Sequence, residues 1–97
     1  MVEKMIINVV GNYVENEWQN PRTGEKKLIK SIGLIFQCGS NTFSAEAQDE
    51  AAVIIRDMNL KPDMHVLVSL SFSAQRSDKN EVVRYFQKVR LEKIVVL

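Results

Sequence analysis

Between Arg84 and Arg90 the chain reads R-Y-F-Q-K-V-R, with cations alternating with aromatic and apolar groups. On a strand, successive side chains point to opposite faces. Arg84, Phe86, Lys88 and Arg90 then share one face, and Tyr85, Gln87 and Val89 the other. Three cations around one aromatic ring make a poor core. They suit a single-stranded nucleic acid, whose phosphates are tracked by cations and whose bases stack on any exposed ring. The competing reading is a solvated strand face, or a Phe86 ring packed under a helix or across a subunit interface.

Two further basic stretches accompany this one. N-P-R-T-G-E-K-K places Arg22, Lys26 and Lys27 at the tip and descending arm of a hairpin, with Lys30 beyond. Q-R-S-D-K adds Arg76 and Lys79. Glu25, Asp78 and Glu81 sit among these cations, which equally fits polar hairpins held in solution by their charges. Trp18, just before a turn, is either a stacking platform or an interface or end-of-barrel residue. Tyr13 and Phe36 fall on the apolar sides of their strands and read as core. His65 has no Cys, Asp or Glu at ligand spacing and reads as structural. Cys38 lies in a turn without a base partner. There are no paired carboxylates, no nucleophile motif and no phosphate-binding glycine loop, so neither an enzyme nor a cofactor is expected.

The 97 residues suffice for one domain, residues 1–97, with 45% hydrophobic and 26% charged residues. A formal net charge of +1 gives no global basic field, so any nucleic-acid site must arise from local segregation of charge. No apolar run reaches the ~18 residues of a membrane span. The M-V-E-K-M-I-I-N-V-V start lacks the small-residue cleavage site of a signal peptide and reads as a first strand. One cysteine, Cys38, suits a reducing cytoplasm.

Periodicity sets out the strands and the helix that carry these residues. Met5 to Trp18 is a long strand, and Gly11 within it marks a bulge or sharp bend. Lys27 to Gln37 is a second strand, with Leu28, Ile32, Leu34 and Phe36 on one face and Ser31, Gly33 and Gln37 on the other. Thr42 to Glu46 is a short third. Ala47, Ala51, Ile54 or Ile55, and Met58 recur at helical spacing and predict about three turns of helix. Lys61-Pro62-Asp63 stops it. Met64 to Ala74 alternates Val66, Val68, Leu70 and Phe72 against Ser69, Ser71 and Ser73. A polar loop from Gln75 to Glu81 leads into a last strand, Val82 to Val96. A small sheet of this kind has edges to protect. Curling into a five-stranded barrel, with the helix between strands three and four, protects them; this is the all-β OB-fold arrangement. An open α+β sheet is the alternative.

With the elements in this order, I-I-N-V-V-G-N-Y, from Ile6 to Tyr13, resembles the opening strand of bacterial single-stranded DNA-binding proteins, Gly11 and Asn12 falling on that family's Gly-Asn pair. The helix leading to Lys61-Pro62-Asp63, the loop with Asp78-Lys79-Asn80, the Arg84-Tyr85 pair and the closing K-I-V-V-L run parallel to it over most of the chain. Departures are clear. The family's long basic loop between strands two and three is here only Q-C-G-S-N. Its stacking tryptophans lack equivalents in strand three, where Phe43 is the stand-in, and before strand five, where Arg76 and Ser77 lie. Its acidic C-terminal tail is missing. The resemblance is to small tailless members from phages and mobile elements, or to the related primosomal replication protein N. It implies binding of single-stranded DNA, with RNA a chemically equivalent ligand, in replication or recombination.

The mechanism expected is electrostatic guidance plus stacking on Phe86, assisted by Trp18 or Phe43. Strand one is apolar on both faces (Ile6, Val10 and Val14 against Ile7 and Val9), which predicts a homodimer or homotetramer. The rival from another class is a structural OB module that assembles with itself or a protein and touches no nucleic acid. Near-neutral charge and the missing tryptophans speak for it.

Overall fold

The computed structural model describes residues 1–78 and 81–97, and the backbone alone at Gln75. Six strands and one helix follow in the order β1 (Val2–Val10), β2 (Val14–Gln19), β3 (Lys26–Cys38), β4 (Asn41–Gln48), α1 (Glu50–Asp57), β5 (His65–Ser77) and β6 (Arg84–Val96). The sheet order is β1-β5-β6-β4-β3-β2, and β1 also pairs with β3. That extra pairing closes a five-stranded barrel, the OB-like all-β fold expected of the sequence. Every ladder is antiparallel except β4–β6, which is parallel and meets at Glu46 and Arg90.

The long first strand breaks in two at Gly11, which is why six strands make five staves. The Gly11 N–H donates to the Gly33 carbonyl at 2.8 Å. A Cβ at Gly11 would lie 2.5 Å from that same oxygen, so only glycine lets the two backbones cross this closely. Below the crossing β1 pairs with β5 and β3; beyond it β2 pairs with β3 alone. A register shift between Ile7 and Val9 turns Val10 toward the core and leaves Val9 outward.

Alternation fills the interior. Met5 and Ile7 of β1, Ile32, Leu34 and Phe36 of β3, Val66, Val68 and Leu70 of β5, and Leu91 and Ile94 of β6 are all buried. Ala45 and Ala47 face inward from β4, where α1 packs through Ala52 and Ile55. Here the helix expected from Ala47 is corrected. Ala47 belongs to β4, and the helix runs only from Glu50 to Asp57. Two alanines spaced four apart, Ala47 and Ala51, mimic a helical repeat although the first is a small inward strand residue beneath the helix. The barrel end is finished by Tyr13, whose ring lies 4.6 Å from the Arg56 guanidinium carbon and whose hydroxyl donates to Glu15 at 2.7 Å. Partial burial and that hydrogen bond push its phenol above its ordinary value.

Two antiparallel ribbons extend from the barrel. One is β2 with the first part of β3. The other is the outer half of β5 with the start of β6, where Ser71 to Ser77 pair with Arg90 to Arg84. The polar run after Ala74 is therefore ribbon rather than loop up to Ser77. Its serine-rich composition reflects strands wet on both faces.

A candidate nucleic-acid interface

No bulge interrupts β6 between Arg84 and Leu91, so alternation holds throughout. Leu91 is buried. Arg90, Lys88, Phe86 and Arg84 therefore point away from the core, on one outer face. Directly across from them on β5 stand Ser71 and Ser73, opposite Arg90 and Lys88, and Ser77, opposite Arg84. These small hydroxyls face the three cations across the ribbon. Phe86 is 54% exposed. Among the described residues, neither Arg84 nor Lys88 has an ion-pair partner. Arg90 is half-buried, as Lys88 is, but its Nη2 donates to Gln48 Oε1 at 2.8 Å, tying β6 to β4.

The other ribbon contributes to the same face. Trp18 pairs with Lys27, Asn16 with Ile29 and Val14 with Ser31, all on the side away from α1. Trp18 is 47% exposed. Because β2, β3, β4 and β6 are successive neighbours in the sheet, the outer face is continuous from Trp18 to Phe86. Lys27 leads along β3 to Ser31 and Gly33, which stand opposite Gln48 and Glu46 of β4, and Glu46 pairs with Arg90. From there β6 runs on to Lys88 and Phe86. Every step proceeds in the same direction, so the two rings stand at opposite ends of this path. An exposed ring at each end, cations beside each, and a polar floor of Ser31, Ser44 and Gln48 form one diagonal track.

Other residues singled out by the sequence lie elsewhere. Lys30 points to the opposite side, where it lines a groove of about 440 Å3 with Leu28, Asp49, Glu50, Val53 and Ile54. Lys26, on that side too, pairs with Glu17 at 3.4 Å. Arg22 is exposed in the turn after β2, its backbone N–H bonded to the Asn20 side chain at 2.9 Å. Arg76 occupies the reverse of the second ribbon, opposite Tyr85, and pairs with Asp78 at 3.0 Å. Phe43 stands opposite Phe36, partly buried and packed against the core. It is engaged inside the barrel and not gathered with Phe86. Lys79 lies outside the described residues.

Some features of the interface were not picked out beforehand. Tyr85, on the reverse of the ribbon, is the most open aromatic at 69% exposure. The hydrogen-bonded group formed by Arg90, Gln48 and Glu46 joins positions far apart in the chain. Only the outward register of Gly33 was legible as a hint of open floor. Among the described residues, no three His, Cys, Asp or Glu side chains are gathered to hold a metal ion. No described helix is long and apolar enough to cross a membrane. No family model matches the chain, and no match is found among curated proteins.

Proposed function

We propose that this chain binds single-stranded DNA along the outer face of β2, β3, β4 and β6, with little sequence preference. The observation that carries the reading is Phe86, an open ring between two cations that have no ion-pair partner among the described residues, on a barrel face that also ends in an exposed tryptophan. Phosphates are drawn to Arg84, Lys88 and Lys27, and bases stack on Phe86 and Trp18. RNA offers the same phosphates and π-faces and is bound by the same chemistry. The resemblance to the single-stranded DNA-binding family supports a place in replication or recombination in the cytoplasm of a bacterial or phage-infected cell. No catalysis or cofactor is involved in this reading.

Self-association accompanies it. Val9, Leu67, Val95 and Val2 are exposed apolar residues of β1, β5 and β6. Their outward register across the paired strands supports a homodimer or homotetramer that includes β1. The same exposed residues favour the rival reading, an assembly module without nucleic acid. The single Trp18 separates the two. Adding oligo-dT at low salt should quench its fluorescence, and raising the salt should restore it. Unchanged emission, with no mobility shift of the oligonucleotide, favours the assembly module.

A further inference from the structure

Midway along the track stands a carboxylate, the wrong sign for a phosphate. Glu46 of β4 faces Gly33 of β3 on one side and Arg90 of β6 on the other. Its Oε1 accepts a hydrogen bond from Gln48 Nε2 at 2.9 Å, and Gln48 Oε1 accepts one from Arg90 Nη2 at 2.8 Å. This relay orients the carboxylate, and Oε2 has no hydrogen-bond partner among the described residues. Beside it the floor is open, because a Cβ at Gly33 would meet nothing within 4 Å. Half-buried Ile35 and Ser31 bound that opening along β3. It therefore combines room for a flat group, an apolar neighbour and a fixed acceptor at one edge.

An acceptor selects donors. The exocyclic amine of cytosine donates to a carboxylate, as Glu does when it reads cytosine N4. Thymine flanks its single ring donor with two carbonyl oxygens that oppose the negative charge. We propose that Gly33 and Glu46, held through Gln48 and Arg90, form a base-edge subsite that favours cytosine over thymine at one position on the track. The proposal rests on the single-strand-binding reading and gives it a modest local preference.

The test is a pair of anisotropy titrations with labelled oligo-dC and oligo-dT of equal length, at one salt concentration. The native chain should bind oligo-dC about threefold to tenfold more tightly, the range of one charge-assisted hydrogen bond partly exposed to water. Glu46→Ala should bring the ratio close to one. Gly33→Val, whose Cβ meets nothing within 4 Å, should do the same while the barrel stays folded. A ratio unchanged in both variants overturns the subsite. So does equal tightening of both sequences by Glu46→Ala, which would mean that the carboxylate only repels phosphates. Equal binding of the two sequences by the native chain overturns the subsite alone, whereas binding of neither overturns the single-strand reading with it.

Discussion

Arg84 and Lys88 flank Phe86 with no ion-pair partner among the described residues, whereas Arg90 is occupied by Gln48. Two phosphates neutralised on this strand contribute about 1.4 to the slope of log affinity against log salt. Replacing Arg84 and Lys88 with alanine should flatten the slope by about that amount and weaken binding most at low salt. Phe86→Ala should instead weaken binding at every salt concentration by about 1–3 kcal/mol, with the slope kept, because stacking releases few counterions. A Phe86→Ala chain that unfolds or changes its oligomeric state, with the charge variants silent, would identify the ring as core or interface. The face of Phe86 was legible in the alternation of R-Y-F-Q-K-V-R because no bulge intervenes before buried Leu91. Phe43 was not legible. In N-T-F-S-A-E-A the small alanines are the inward residues, and only the pairing with buried Phe36 shows that Phe43 shares their side. The Arg90–Gln48 bond was hidden for a different reason, since it spans 42 residues and exists only once β4 and β6 are neighbours.

The Gly11–Gly33 crossing swings β2 away from the barrel and carries Trp18 to the far end of the track. Gly11→Ala would place a methyl group 2.5 Å from a backbone oxygen. Such overpacking should cost about 1–3 kcal/mol, measurable as a lowered urea midpoint with an unchanged m-value. Gly33→Ala, by contrast, should be nearly silent in stability, since open space surrounds that position. Hydrogen exchange checks the roles of the two ribbons. Amides of Lys27 to Ser31 and of Arg84 to Arg90 should gain protection with oligo-dT, while those of α1 around Val53 and Ile54 should not. Protection confined to the α1 groove, with binding established separately, would move the strand to the other face. Strand order and the inward faces of β3 and β5 were readable from period-two alternation. Element ends were not, because ribbon strands wet on both faces carry serines and charges, as turns do. The helix start was blurred because Ala47, the last inward residue of β4, lies at helical spacing from Ala51.

For the whole molecule, the net charge of +1 means that affinity must come from where charges sit and not from their sum. The outer track holds Lys27, Arg84, Lys88 and Arg90 against Glu46 and against Glu92, whose Oε1 accepts a hydrogen bond from Ser71 at 2.7 Å beside Arg90. Glu15, Glu17, Asp49 and Glu50 lie on the α1 side. Exposed apolar residues on β1, β5 and β6 lead to a second whole-molecule expectation, a dimer or tetramer at micromolar concentration by light scattering. A monomer there would leave the track intact and remove the assembly from the account. Closure of the barrel was legible as the solution to unprotected edges, but the continuity of one face across β2, β3, β4 and β6 was not. It depends on β4 and β6 being parallel neighbours although α1 and β5 lie between them in the chain. Binding along the outer face is tested by titrating the native chain into labelled oligo-dT, and into duplex DNA of the same length, across a series of salt concentrations. Tight binding of the single strand, weakening linearly in log salt, with the duplex bound far less well, is the predicted result. No binding of oligo-dT at low salt, or equal binding of single strand and duplex, would contradict it.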